Sequence, residues 1–300
     1  MSLLLLLILS CGKEEGDLLT LNSISSQQNL VLGSQDGNNR GVTIYDIDGN
    51  FIRSLDFRAE NGLPRGIIAF DENSFLVSLD TTDSIYSVTL DGEKTVFHGS
   101  AQFNGTQYDM VKSDEGFVYA IESNRIEVFN SEGIRQANRY ITTTVGSCVL
   151  NSPRGLHIRE DGKLVVAEAG ATDRIYVYDI SEPTPVCESA VAFPGRNPHG
   201  VVEHSDGSLY ITTQTDSEVY RADPDGSNPT LIWSTDISII RTPTDILELP
   251  NGNLLVASSV TDTIEQLTTE GVRVGTVPFI RDSHSLNISS MAIVGGSTDE

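Results

Sequence analysis

Two segments of the chain, PRGLHIREDGKLVV from Pro153 and PHGVVEHSDGSLYI from Pro198, repeat one pattern. They differ at the letter before the glycine, which is Arg154 in one and His199 in the other. The same place holds Arg65 in PRGIIAF, Tyr108 in QYDMVKS, Thr244 in PTDILEL and Ser289 near the C-terminus. Arginine presents a planar fork of donors matched to carboxylate or phosphate. Histidine exchanges a proton near neutral pH or ligates metal. Brought to one place, Arg65, Tyr108, Arg154 and His199 would bind a small anion, or the carboxylate of a ligand or peptide. The opposing expectation is that each arginine pairs with Asp109, Asp245 or another acidic neighbour and only staples elements together.

Other chemistries find less support. A hard divalent cation wants several oxygen ligands, and arginine and histidine at these places do not supply them. Zinc wants three or four ligands, and His199 is the single histidine in this register. DIDGN from Asp46 and DPDGSN from Asp223 resemble openings of calcium loops, but neither supplies both the Gly and the Glu that such a loop needs. Their recurrence before a strand marks them as turns. His157 and His204 follow the variable place and read as strand or loop residues, and His98 and His284 fall in polar connections. No Ser-His-Asp order, glycine-rich phosphate loop or metal-spaced cysteine cluster emerges. No cofactor is therefore expected.

The elements that position these residues follow from a repeat. Apolar alternating runs recur every 42 to 46 residues, as NLVLGS from Asn29, SFLVSLD from Ser74, GFVYAIE from Gly116, GKLVVAE from Gly162, GSLYITT from Gly207 and GNLLVAS from Gly252. A second run follows each, as in VTIYDIDG from Val42 and RIYVYDIS from Arg174, and looser third runs include FIRSLDF from Phe51 and TLIWST from Thr230. Five of the six units carry an opening strand, Pro64, Gln107, Pro153, Pro198 and Pro243 beginning them. Period-two alternation and β-branched content argue strand. The Asp-Gly, Glu-Gly and Asn-Gly pairs supply the turns. A four-stranded unit cannot bury both its faces, but six packed face to face in a ring can. The expected fold is all-β, a six-bladed β-propeller of four-stranded antiparallel blades. The first unit lacks an opener, and ISSMAIVGG from Ile288 is a spare strand. This C-terminal strand is expected to close the ring as the innermost strand of the first blade, with LLTLNSI from Leu18 as the rival. The variable place then falls at one end of the central channel, and the Gly that often follows it, as at Gly66, Gly155 and Gly200, lets backbones approach the axis.

SQDGNNRGVTIYDIDGNFI from Ser34 and ESNRIEVFNSEGI from Glu122 resemble the repeat of NHL-type propellers: Asn-Arg, a β run, then Asp-Gly or Glu-Gly. The resemblance implies the fold over residues 18–297 and leaves function open, since sites are grafted onto folds. Gluconolactonase-type propellers hold a divalent cation at the channel with acidic and amide side chains. Here the matching places are Arg65, Arg154 and His199, with Asp109 and Asp245 one register away. NHL-type amidating lyases hold zinc through histidines of separate blades, and His199 is the one match. Similarity to antibiotic-opening lyases of propeller fold rests on Pro198-His199-Gly200 with Glu203 or His204 nearby.

Composition sets the surroundings. The 300 residues carry 19 Lys and Arg against 42 Asp and Glu, a formal net charge of −23. That opposes binding to nucleic-acid phosphates and to anionic lipid. The chain opens MSLLLLLILSCGKEEG, an apolar run too short to span a bilayer, which reads as a secretory signal. Ile8-Leu9-Ser10-Cys11 resembles the lipobox of bacterial lipoproteins, although no Lys or Arg precedes the run. The resemblance implies a signal peptide over residues 1–10, an acylated Cys11 with a short tether over 11–17, and a place in the bacterial cell envelope, at the outer membrane on its periplasmic or surface side. Cys148 and Cys187 remain, as a disulfide or as two buried thiols. The expected role is a monomeric, lipid-anchored binding or scaffold module for an envelope protein or small anionic ligand. The alternative is a metal-dependent lyase or lactone hydrolase acting at the channel mouth.

Overall fold

The computed structural model describes residues 28–35, 40–99, 107–170, 173–195, 197–234, 236–281 and 287–295. The leader, Cys11, the LLTLNSI segment and His284 lie outside them. Six antiparallel sheets form six blades, and among the described residues there is no helix. The innermost strands are Ile288–Val294 for blade 1, Leu63–Asp71 for blade 2 and Gln107–Lys112 for blade 3. Pro153–Ile158, Pro198–Glu203 and Pro243–Glu248 follow for blades 4 to 6. The ring closes as the sequence suggests: Ile288–Val294 pairs antiparallel with Asn29–Ser34, Leu32 opposite Met291 and Val31 opposite Ala292.

The second strand of each blade is buried on both faces, as in Val118–Glu122 and Leu164–Glu168. Hence these runs are nearly continuous in apolar residues where a one-sided sheet would alternate. Side chains interdigitate between neighbouring blades: Val31, Val42 and Ile44 of blade 1 meet Phe75, Val77 and Val88 of blade 2. Each such side chain contributes about 1.5–3 kcal/mol by leaving water. Loops on the face where the inner strands begin add polar staples. Asp173, Ser217 and Asp262 adopt positive φ between second and third strands. Their side-chain oxygens accept the backbone N–H of Asn197 (3.0 Å), Thr242 (3.2 Å) and Asn287 (2.6 Å), the residues entering the next blade.

Blades 3 and 6 depart from four full strands. Outside Arg125–Phe129 the fourth strand shrinks to the bridges Ile126–Ile141 and Phe129–Arg135, and outside Thr263–Leu267 to Ile264–Ile280 and Leu267–Arg273. In both, a buried glutamate of the third strand, Glu127 or Glu265, takes an arginine eight residues later, Arg135 or Arg273. The looser spacing of these outer segments in the sequence reflects this substitution of an ion-paired clip for a strand. Between blades 3 and 4 the chain forms a small hairpin, Thr144–Val145 with Cys148–Val149. A Cys148–Cys187 disulfide ties it to the outer strand of blade 4, with Cα atoms 5.8 Å apart. Closing a loop with a sequence separation of 39 removes about 4 kcal/mol of unfolded-chain entropy on the chain-entropy model.

Candidate functional site

The inner strands set three successive rings of six residues around the axis. The first is Arg65, Tyr108, Arg154, His199, Thr244 and Ser289. The second is Gly66, Asp109, Gly155, Gly200, Asp245 and Ser290. The third is apolar and buried: Ile67, Met110, Leu156, Val201, Ile246 and Met291. Every inner strand shifts register against its neighbour close to these rings. Such bulges re-aim side chains next to sites.

The second ring is the waist. A Cβ on Gly155 would lie 1.9 Å from the carbonyl oxygen of His199, and one on Gly200 would lie 2.8 Å from Cα of Asp245. Glycine is therefore required sterically, and the backbones of blades 4, 5 and 6 approach one another where no side chain fits. The two aspartates work differently. Asp109 accepts the N–H of Met110 and of Leu156 in the next blade, both at 2.8 Å. Asp245 accepts the N–H of Ile246 (2.8 Å) and of Met291 in blade 1 (2.7 Å). Burial, with the nearby charge of Asp245, holds the Asp109 carboxyl well above the usual carboxylate range. Burial pushes Asp245 up to about 6, against the lowering effect of its hydrogen bonds from Met291 and Ile246. Neither carboxylate turns to an arginine. Beyond the waist lies a channel of about 400 Å3 lined mainly by Ile67, Leu156, Val201, Ile246 and Met291. His157 lines it too, and burial lowers its pKa to about 4.

The first ring forms the mouth, where Arg65, Tyr108 and His199 line a cavity of about 90 Å3. Arg154 is not part of that lining and joins the group through the Tyr108 ring. The Arg65 guanidinium carbon lies 5.6 Å from the Tyr108 ring centroid and that of Arg154 only 3.8 Å, so blades 2 and 4 present cations to one ring of blade 3. The two arginines then part. Arg65 pairs with Asp80 through Nε (3.1 Å) and a terminal nitrogen (3.0 Å). Arg154 makes no side-chain hydrogen bond or ion pair among the described residues; it stacks on Tyr108, and its charge acts on the buried Glu168 carboxyl, which instead accepts the backbone N–H groups of Asn151, Ser152 and Gly170.

His199 is held neutral. Its Nδ1 lies 2.7 Å from the carbonyl oxygen of Thr244, which can only accept, so Nδ1 carries the proton. Burial lowers the pKa to about 4, and the fields of Arg154 and Arg65 push the same way. Nε2 is therefore left with a lone pair. The remaining mouth residues continue this handed chain of contacts: Thr244 Oγ1 donates to Ile288 O (2.7 Å) and Ser289 Oγ to Pro64 O (2.9 Å). Among the described residues the mouth thus staples blades and leaves the Arg154 guanidinium and the His199 Nε2 lone pair without a hydrogen bond.

A metal fits poorly. Among the described residues no three or more His, Cys, Asp or Glu side chains gather to hold one. The mouth places two cations where a divalent ion would sit. The turns from Asp46 and Asp223 are closed on themselves: Asp46 accepts from the N–H of Asp48 and Asn50, and Asp223 from Asn228 Nδ2.

Sequence reasoning missed Asp80, the partner of Arg65, the mouth residue Gln214, and Asn197, which bonds it. A signal existed. The second-strand runs end in Asp80, Glu122 and Glu168, a recurring acid at the same face.

No family model and no curated protein matches the chain. Solved structures do. A chain of a nidogen/laminin complex has a TM-score of 0.71 at 13% identity, over 89% of this chain and 98% of that one. A protein of unknown function from Bacteroides caccae has a TM-score of 0.63 at 14% identity, over 90% and 99%. The catalytically inactive histidine-to-alanine variant of virginiamycin B lyase from Staphylococcus aureus, with quinupristin, has a TM-score of 0.58 at 16% identity, over 85% and 76%. At such identities the likeness speaks for architecture, and together with the ring of six sheets it establishes that this chain is a six-bladed β-propeller.

Proposed function

We propose that this propeller is a binding module of a bacterial cell envelope, NHL-like in its repeats, held to the membrane by lipid on Cys11 and acting as a monomer. Its channel mouth takes an anionic group, either from a small ligand or from a protein partner. The observation that carries the reading is Arg154. Its guanidinium rests 3.8 Å over the Tyr108 ring with no side-chain hydrogen bond or ion pair among the described residues, on a chain of net charge −23, and its acidic neighbour Glu168 commits its carboxyl to backbone N–H groups. A cation whose hydrogen-bonding edge makes no such bond is positioned to receive an anion from outside. That one neighbour is a chain of a nidogen/laminin complex supports a protein partner as the source of that anion.

The test is titration of acetate and phosphate into the protein, followed by the thermal midpoint, since a ligand bound only to the folded state raises it. The double variant Arg65→Ala, Arg154→Ala should lose the response. An unchanged response in that variant defeats the reading. The anchor is tested separately: Cys11→Ser should move the protein from the membrane fraction to the soluble one.

A second reading has one specific observation behind it. A neutral His199 with a free Nε2, close to a guanidinium, pairs a base with an electrophile, as opening of a cyclic ester by elimination or hydrolysis requires. Turnover of a lactone substrate that disappears in His199→Ala would move the protein into that class. Equal product with and without the protein removes the reading.

A further inference from the structure

Next to the mouth lies a second cavity of about 430 Å3 on the same face, between blades 5 and 6. Gln214 borders both, and Asn197 Nδ2 donates to Gln214 Oε1 at 3.1 Å, so a single amide pair forms the wall between them. The second cavity is lined by amides and hydroxyls, among them Asn197, Gln214, Thr215, Ser217 and Thr242, and by Arg241. The Arg241 side chain is exposed, and like Arg154 it makes no side-chain hydrogen bond or ion pair among the described residues. Two guanidiniums without a side-chain hydrogen bond or ion pair among the described residues therefore belong to one face: Arg241 lines the second cavity, Arg154 stacks on the Tyr108 ring that lines the mouth, and a trough of groups that both donate and accept lies between them.

The polar groups narrow the ligand. Arg154 calls for a carboxylate or phosphate. His199 Nε2 calls for a donor close to that anion. A sulfate ester or a fully ionised phosphate ester has no such donor on the anion itself. The C-terminal residue of a peptide has both, a carboxylate and an amide N–H separated by one carbon. Amide and hydroxyl side chains along the trough suit the preceding peptide units, which alternate donor and acceptor. Arg241 then calls for a second negative group a short distance up the chain.

We propose that this face binds the C-terminal end of an acidic peptide. The terminal carboxylate lies at Arg154 with its amide N–H on His199 Nε2, the backbone crosses Gln214, and an Asp or Glu side chain meets Arg241. The proposal rests on the anion-binding reading of the mouth and adds to it the ligand class and direction.

The experiment is calorimetric titration of the full-length protein with acetyl-Glu-Ala-Ala carrying a free carboxylate, the same peptide as its C-terminal amide, acetyl-Gln-Ala-Ala acid, and acetate. The free acid should bind at least tenfold more tightly than the amide. Arg154→Gln should erase that difference, and Arg154→Lys should retain part of it. Arg241→Gln should erase a several-fold preference for the Glu peptide over the Gln peptide. Equal binding of acid and amide to the wild-type protein overturns both the proposal and the reading beneath it, with no variant needed. Arg154-dependent binding of acetate, with no gain for any peptide and no effect of Arg241→Gln, overturns the peptide assignment and leaves the anion site standing. Tighter binding of a uronic-acid sugar than of the peptide acid would do the same.

Discussion

The two ends of the first few inner-strand residues behave as opposites. At the mouth, Arg65, Tyr108 and His199 line a cavity edged by polar groups, with Arg154 stacked on Tyr108. Two residues further along the same strands, Ile67, Leu156 and Val201 are 2–5% exposed and pack among blades. Between them the waist carries Gly, Asp and Ser. One strand position thus separates chemistry from packing. The difference teaches that a propeller mouth is not bound by the packing that fixes the blades, since its side chains contact their neighbours through hydrogen bonds and ring stacking. That is why equivalent places hold Arg154 in one blade and His199 in the next, while the glycines after them leave no room for a side chain.

This contrast is broken most severely at the waist. Gly155→Val forces a side chain onto the His199 carbonyl and should destabilise by about 3 kcal/mol or more, read as a lower urea midpoint. In contrast, Gly162→Ala, in an open turn with nothing within 4 Å of its Cβ, carries only the strain of φ +80. Its cost should be about 1 kcal/mol. In the apolar ring, Leu156→Ala should cost about 2–5 kcal/mol and leave anion binding intact at the mouth; a loss of binding without loss of stability would contradict the separation.

Acid titration sharpens the same comparison, because the two regions pull stability in opposite directions. His199 titrates at about 4 when folded against an ordinary value of 6.5. The unfolded chain takes up its proton first, so this group's contribution is complete above pH 6.5 and is lost as pH falls toward 4. Asp245 is raised to about 6 from 3.8. The folded chain keeps that proton longer, so its contribution is present below pH 4 and is lost as pH rises through 6. Urea midpoints between pH 4 and 6.5 should therefore fall less on acidification in His199→Gln than in the wild type. They should fall more in Asp245→Asn. A shared slope in all three proteins would place neither group where the structure has it.

The smallest expected effect on stability is at the arginines. Arg154→Gln should lower stability by less than about 1 kcal/mol, the scale of one partly exposed cation–ring contact. Arg65→Gln should do no more, since its bond to Asp80 is a partly solvated pair. Binding should separate them: Arg154→Gln weakens acetate binding more than Arg65→Gln, because Arg65 is already partly neutralised. The reverse order would mean that Asp80 is a competitor displaced by the ligand.

Much of the architecture was legible in the residues. Runs such as SFLVSLD and GKLVVAE announce strands buried on both faces, their spacing counts the blades, and a missing opener at one end with a spare strand at the other predicts the closure seen between Leu32 and Met291. The weak outer segments after Glu127 and Glu265 were less legible, because an arginine eight residues away replaces backbone pairing and leaves no period to detect. The gathering of Arg65, Tyr108, Arg154 and His199 follows from strand register, since residues equivalent in a repeat come together around an axis.

What each mouth residue does there was decided by tertiary structure. Nothing local distinguishes Arg65 from Arg154, as both stand in Pro-Arg-Gly. The first meets Asp80 at the end of its own blade's second strand, and the second meets the Tyr108 ring of the preceding blade. The proton on His199 Nδ1 is likewise set by a carbonyl 45 residues away. Local periodicity determined the ring because burial acts on every strand alike. Charge pairing and protonation depend on single atoms brought within about 3 Å, between paired strands for Arg65 and Asp80 and across neighbouring blades for His199 and the Thr244 carbonyl, distances that only the folded ring supplies.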